Sequence, residues 1–584
     1  MDKHTRRTLL GTSIVAIGSG VLAACSRGGS PSGTGSHSAA ASPPGADPHT
    51  GANPYAAGDP YAVASPHAGS GPHAEAGPHA RGRAFRESGG TFVPKGPKGY
   101  VNPSDPEVIA VEKERGPGPV RRFRLIATET SLDLGGPTVR TWAYGDRLPG
   151  KEIRVTAGDI LDLTLANHLP EATTLHSHGI RMRCDMDGVP GLTQYSIRPG
   201  ADFNYRFAVT HPGTYWLHSH SGLQVDRGLY APLIIEDPRE PLSYDKEWVI
   251  VLDDWVDGVA GSTPDGVLAQ LLDGKKMAHM DMGEGTSHDG SRHADEGARW
   301  HADKHAGPSR VLHGSRSRML QGEGGNVDYP FYLINGRLPH APSVFRARPG
   351  ERIRLRIINA GSETAFRVAL GGHKMTITHT DGYPVQHART DALLIGMAER
   401  YDVLITAKDG VFPLVALAEG KDARAMAILR TGGGAPPRSV HLRELNGQVV
   451  PARRLVPQDS VALCNRRPDR ELRFRLTGGH RKYDWSFDHQ PYSVTQRHPI
   501  RQGERVRLTL INATDMFHPV HLHGHTFALK GFGAVGARKD TSLVLPHRKI
   551  VVDFNADNPG LWMLHCHNQY HSESGMMTIL GYRK

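Results

Sequence analysis

Three stretches of the chain repeat one pattern of apolar and polar positions: VTAGDILDLTLANHL around Gly158, ARPGERIRLRIINAG around Gly350, and IRQGERVRLTLINAT around Gly503. In each, an asparagine (Asn167, Asn359, Asn512) follows the glycine by nine residues, across a run in which apolar and polar residues alternate. A period of two is the signature of a strand buried on one face, and the leading glycine marks a turn. The three copies predict three related β-sandwich domains, at residues 119–240, 241–440 and 441–584. The fold class expected is all-β, and the 68 glycines and 42 prolines suit a chain of strands joined by turns.

Outside the repeats the pattern fades. Residues 26–118 are rich in Gly, Pro, Ala, Ser and His, too poor in apolar side chains to bury a core, and are expected to form a disordered tether. A second polar stretch, 276–326, interrupts the middle domain and carries Met277, Met280 and Met282 among several histidines. The start of the chain reads as an address. TRRTLL (Thr5 to Leu10) and a short uncharged run form a twin-arginine signal peptide over residues 1–25. LAAC (Leu22 to Cys25) resembles a bacterial lipobox in which Cys25 becomes lipidated, predicting an extracytoplasmic protein tethered to the outer face of a membrane by lipid alone. In such an oxidising place Cys184 and Cys464 can form a disulfide, although spacing does not show that they meet.

Charge changes the picture little. The net charge of +10 comes from scattered Lys and Arg without an aromatic platform, which argues against a nucleic-acid partner. Histidine changes it more, with 34 residues. Nine residues past Asn167 is His176, opening HSHG, and nine past Asn512 is His521, opening HLHG; the same step from Asn359 reaches Val368. Five residues past Gly213 is His218 and five past Gly560 is His565, whereas five past Gly410 is Val415. Domains one and three thus carry four His-x-His pairs in matching positions, with domain two as a spacer.

Alternate residues of a strand project to one face, about 7 Å apart. Each pair can therefore aim two imidazoles one way and the residue between them the other. Eight imidazoles in symmetry-related positions are most economically explained by one multinuclear metal site between domains one and three. The residue between is Ser177, Ser219 or Leu522 in three pairs and Cys566 in the fourth. Cys566 then faces its own partners, and His518, His571 and Met576 would complete the His₂Cys-plus-thioether set of a blue-copper electron-transfer centre; the alternatives are that Met576 is a core methionine or that Met577, which points the other way, is the thioether.

The motifs HSHG, HSH, HPVHLHGH and HCHNQYHSESGM resemble the four copper-binding motifs of the multicopper oxidases. DMDGVPGLTQ and ERYDV match as well, and the likeness runs from about residue 119 to the end. The chain looks most like the actinobacterial lipoprotein oxidases linked to copper resistance. The resemblance implies cupredoxin-like Greek-key domains and four coppers per chain. It places His518, Cys566, His571 and axial Met576 on the type 1 copper, and His176 and His521 on the type 2 copper. His178, His218 and His567 would hold one type 3 copper, and His220, His523 and His565 the other. Single electrons would enter at the type 1 copper and four of them would reduce dioxygen to water. Asp187 fits the family's proton-relay aspartate, whereas the usual glutamate after the last type 1 histidine is replaced by Ser572, with Glu573 one residue later.

The ligands do not choose the reductant. Cu(I) prefers thioether sulfur, and Met516, two residues before His518, with Met277, Met280 and Met282 in the insertion, favours Cu(I) oxidation in copper detoxification; the aspartate that bacterial cuprous oxidases place four before that histidine is Thr514 here, with Asp515 shifted by one. The alternatives are a laccase-type oxidase of phenols or aromatic amines and a non-enzymatic copper-binding protein; the filled ligand motifs argue against the latter. The expected partners are dioxygen and Cu(I) or a small phenolic reductant, and the protein is expected to be a monomer.

Overall fold

The computed structural model describes residues 96–280, 307–437, 441–531 and 535–584. The expected signal peptide, Cys25 and the histidine-bearing part of the expected tether lie outside the described residues. Strands dominate, and they form three successive pairs of sheets. In the first domain a four-stranded sheet, ordered 138–144, 120–133, 160–167 and 202–208, is joined by a second, ordered 153–156, 230–236, 213–218 and 176–178. Leu125, Leu163 and Leu165 of one sheet meet Ile153, Leu217 and Leu233 of the other in a shared apolar core. The second and third domains each pair a six-stranded with a five-stranded sheet.

The repeated asparagines explain why the three copies are alike. Asn167 Nδ2 donates to the carbonyls of Glu171 and Ile197, both at 2.8 Å, and its Oδ1 accepts from Leu169 N at 3.0 Å. Asn359 holds Thr364 O, Ile395 O and Gly361 N in the same way, at 3.0 to 3.1 Å. Asn512 holds Met516 O, Val544 O and Thr514 N at 2.7 to 2.9 Å. Each amide ties down the loop leading to the next inner strand, so its buried backbone groups stay paired.

The alternation of the repeat holds in domains one and three but not in domain two. Arg354 and Arg356 sit at positions expected to be exposed, yet both are buried. Asp402 explains it, with Oδ2 at 2.6 Å from Arg354 Nη2 and 3.2 Å from Arg356 Nη1, while Oδ1 accepts from Thr214 of domain one at 2.7 Å. These arginines face a neighbouring domain rather than water.

The expected tether is shorter than 26–118. Pro106–Glu114 is a helix, and Tyr100, Val101, Val108 and Val111 are buried. Val101 N donates to Tyr582 O at 2.8 Å and Arg115 Nη2 to Asn558 Oδ1 at 3.2 Å, pinning the segment to domain three. A few well-spaced apolar residues suffice here because the surface they cover already exists. The polar insertion is corrected too. Helix Pro264–Met280 runs into it, so Met277 and Met280 are helical, although their side chains and Met282 lie outside the described residues. Its last part folds back as strands Arg316–Ser317 and Gly322–Glu323, with Glu323 N donating to Asp515 O at 2.9 Å. Among the described residues, no helix is long and apolar enough to cross a membrane.

Candidate metal centres

The inner sheets carry both centres. In domain one the strand His176–His178 pairs antiparallel with Gly213–His218, setting His176 opposite His218. In domain three His518–Leu522 pairs with Leu561–Cys566, setting His521 opposite His565 and Val520 opposite Cys566. The matching strands of domain two present Val368 and Val415 to the core.

At the first centre, His518 Nδ1 and His571 Nδ1 lie 3.1 Å apart, and Cys566 Sγ lies 3.6 and 3.7 Å from them. All three side chains are buried, as is Met576, whose carbonyl accepts from Cys566 N at 3.1 Å. The helix Gln569–Glu573 brings His571 into place, with Asn568 at its N-cap accepting from His571 N at 3.2 Å. His518 Nε2 lies 2.9 Å from Thr514 Oγ1, and Trp485 stacks on the His571 ring at 4.1 Å. Burial holds His518 at about 3 and His571 well below the usual imidazole range, so both rings offer lone pairs. Burial also pushes the Cys566 thiol up, so that a cation is needed to draw off its proton.

The second centre gathers the eight histidines of the His-x-His pairs between domains one and three. Rings of His176 and His523 lie 4.1 Å apart, those of His178 and His521 3.8 Å, and His220 and His565 5.2 Å. His567 stands 5.0 Å from His178 and 5.2 Å from His218. The ligand atoms of His220, His523 and His565 lie within 4.8 Å of one another, as do those of His176, His178 and His218 and of His176, His521 and His523.

The nitrogens divide by role. The outer nitrogen of most rings is anchored: His176 Nδ1 at 2.7 Å from Asp187 O, His218 Nδ1 at 2.8 Å from Ser219 O, and His565 Nδ1 at 2.9 Å from Cys566 O. His521 Nδ1 is 2.9 Å from Asp540 O, and His523 Nδ1 2.9 Å from Asp187 Oδ2. His178 reverses the pattern, its Nε2 lying 3.0 Å from Asp540 Oδ1. The inner nitrogens, His176 Nε2, His178 Nδ1, His218 Nε2, His220 Nε2, His521 Nε2 and His567 Nε2, are buried without any partner. Nε2 of His523 and of His565 face each other at 3.1 Å. Unmet buried polar atoms cost about 1–3 kcal/mol each, and so many lone pairs converging on one buried space suit cations. Burial, and next the neighbouring imidazoles, keep His218, His523, His565 and His567 far below their ordinary range, which favours metal over protons. The donor set fits copper.

Strand alternation separates the two centres. Cys566 turns to His518 and His571, while His565 and His567 turn to the cluster. In the matching HSH pair, Ser219 Oγ donates to Gln224 Oε1 at 2.8 Å and has no ligands around it.

The disulfide that the sequence allows does not form. Cys184 and Cys464 are not disulfide-bonded: Cys184 is buried, with Sγ 3.3 Å from Leu561 N, and Cys464 is exposed. A Cβ on Gly560 would lie 2.5 Å from Cys184 Cβ, so this cysteine serves as a small packing residue in a tight domain contact. Glu573 is exposed at the end of its helix, and Ser572 Oγ, 3.5 Å from His565 Nδ1, stands nearer the cluster. Met516 is buried, whereas Asp515 is exposed and pairs with His547 at 2.8 Å. Asp540 is a site residue that sequence reasoning missed, and domain two is more than a spacer. Arg400 of its ERYDV motif donates to Asp540 at 2.8 and 2.6 Å, and against the cost of burial it holds that carboxyl well below the usual range. The motif itself was the available signal, but nothing in it names the partner.

Three family models described as multicopper oxidase match residues 126–240, 300–434 and 465–583. The chain is similar to multicopper oxidase MmcO of Mycobacterium tuberculosis, with 48% identity over 77% of this chain and 85% of the relative. It is 29% identical to a copper resistance protein A homolog of Pseudomonas syringae pv. tomato, over 78% of this chain and 91% of that one. Its fold matches that of Fet3p, described as a multicopper oxidase that functions in iron import, with TM-score 0.65 and 22% identity over 79% of this chain and 90% of that one. Fold, donor set and relatives together define a copper-dependent oxidoreductase on three cupredoxin-like domains. The chain belongs to the multicopper oxidase family.

Proposed function

We propose that the protein is an extracytoplasmic oxidase that couples oxidation of Cu(I) to reduction of dioxygen to water, in copper detoxification. The observation that carries the oxidase reading is the convergence of buried, unpartnered imidazole nitrogens one residue away from a cysteine with two imidazoles of its own. In this reading His518, Cys566, His571 and Met576 hold a type 1 copper, and His176 and His521 a type 2 copper. His178, His218 and His567 hold one type 3 copper, with His220, His523 and His565 on the other, four in all. Bound copper would supply the one-electron acceptor and the centre at which dioxygen is reduced. The chain does the rest. Cys566 is joined through single peptide bonds to His565 and His567, a short covalent path between the two centres. Asp540 and Asp187 fix ring orientation and tautomer from the second layer. Asp187 Oδ2 holds His523, and Oδ1 lies buried 3.3 Å from His176 Nδ1, so one carboxylate touches two rings of the cluster and is the group we assign to carry protons inward.

The choice of Cu(I) is supported by the relative named for copper resistance and by the surface beside His518. There the exposed Asp515–His547 pair and the Glu323–His480 pair, at 2.8 and 3.3 Å, offer carboxylate and imidazole to a metal ion. Export through a twin-arginine signal, lipidation at Cys25 and a monomeric state complete the proposal. The test is oxygen uptake by the copper-loaded protein with Cu(I) and with a phenol, with and without residues 281–306. Turnover with Cu(I) above that with the phenol is expected; equal or lower turnover overturns the Cu(I) reading and leaves a laccase-type oxidase.

A further inference from the structure

A cleft of about 270 Å³ opens where all three domains meet, and none of the metal-site histidines lines it. Domain one contributes Gly179–Arg181 and Thr210–His211, domain two Tyr383, and domain three Ser460, Thr526 and Arg538. Its charge is unbalanced. Arg181 is paired with Asp557 at 3.4 Å. Arg538 has no carboxylate within ion-pairing distance among the described residues; it donates only to Val461 O, at 3.4 Å, and to Thr526 Oγ1. A guanidinium has five N–H groups, and Arg538 Nε is buried with no acceptor. His211 Nε2 is likewise buried and unpartnered. Tyr383 sets the geometry of both, with His211 stacked on its ring at 4.0 Å and the Arg538 guanidinium 5.2 Å from its centroid. Arg505 adds a second guanidinium behind the wall, donating to Asn555 Oδ1 at 2.9 Å; the Asp553 carboxylate acts on it, and its positive charge weakly repels that of Arg538.

We infer that this cleft is a binding site for a small oxyanion of the phosphate or carboxylate class, held by the free edge of Arg538 and by His211 Nε2–H. Four observations agree. The free edge of a guanidinium matches two oxygens of one anion. The hydroxyls of Ser460 and Thr210 add donors at the rim. A half-buried positive charge without a counter-ion costs stability until an anion arrives. Burial, and next the charge of Arg538, hold His211 at about 4 against the weaker opposite pull of the Asp237 carboxylate, so at neutral pH its ring is uncharged and its occupant neutralises arginine alone. Because all three domains line the cleft, an anion there ties them together and stabilises the native chain by mass action. The site is one glycine thick from the histidine cluster: a Cβ on Gly179 would lie 2.5 Å from Arg400 Nη2 and Asp540 Oδ2, the pair behind His178.

The experiment is equilibrium dialysis of the full chain against labelled inorganic phosphate at constant ionic strength, with thermal unfolding in parallel, on copper-loaded and copper-free protein. Saturable binding of one phosphate per chain in both forms is expected, with a Tm that rises with phosphate and not with chloride. Arg538→Gln is expected to weaken binding about tenfold or more, and His211→Leu to weaken it as well. Binding that does not saturate in the parent protein overturns the inference without any variant. So does binding confined to the copper-loaded form, which would place the anion on the metals, or undiminished binding in a folded Arg538→Gln protein.

Discussion

Arg400 of the middle domain and Asp540 of the third share two hydrogen bonds, at 2.8 and 2.6 Å, and Asp540 stands 3.0 Å from His178 Nε2. A domain without ligands therefore orients a ligand through a fully buried ion pair, and Asp381, 3.6 Å from Arg400 Nη1, extends it. Arg400→Met is expected to leave Asp540 charged without its guanidinium, held only by His178 and Thr541, and to cost about 3–5 kcal/mol. Urea unfolding of the copper-free protein checks this, and a loss under 1 kcal/mol would show that the pair does not matter to stability.

Cys566→Ser is expected to abolish the blue absorption and the turnover while leaving the cluster histidines able to hold copper. Metal analysis beside the visible spectrum reads both. Ser219 already shows serine at the matching position, hydrogen-bonded to Gln224 and without ligands.

Asn512 and Asn359 make equivalent hydrogen bonds, but only the loop after Asn512 leads to a ligand histidine. Each Ala substitution is expected to cost about 1–3 kcal/mol. Asn512→Ala should also lower copper retention at the His518 centre, and Asn359→Ala should not. Equal copper contents in the two variants would count against the loop having this role.

Asp187→Asn keeps the shape of the side chain that meets His523 but removes a proton carrier. Oxygen-reducing turnover is expected to fall about 10²-fold or more. Reduction of the blue centre by substrate under anaerobic conditions should stay at the parent rate. A slowed anaerobic step would place Asp187 in structure rather than proton supply.

Asp402 gives the pH dependence. Burial alone would raise its pKa, but Arg354 and Arg356 hold it down at about 2. A carboxyl depressed from an unfolded value of about 3.9 contributes stability that is present above that value and lost as pH falls toward 2. The contribution is about 2–3 kcal/mol. The stability gap between parent and Asp402→Asn should therefore narrow between about pH 5 and pH 2, measured by urea unfolding of the copper-free proteins. A constant gap would refute the assignment.

Much of this was legible in one dimension because its logic is local. A period of two along a strand dictates which residues share a face, and that parity separates Cys566 from His565 and His567 without any knowledge of the fold. The glycine-to-asparagine repeat likewise announced three domains and showed which of them lack ligands. What only the tertiary structure decided are relations between residues far apart in the chain, where burial and pairing depend on another domain. Arg354 and Arg356 read as solvent-facing until Asp402 meets them. Val101 and Val108 read as tether until domain three offers a surface. Cys184 and Cys464 looked free to pair, but Cys184 lies buried against Gly560 while Cys464 is exposed. Arg400 acquires its role only when the fold brings it against Asp540, because an isolated charge has no local pattern that names its partner.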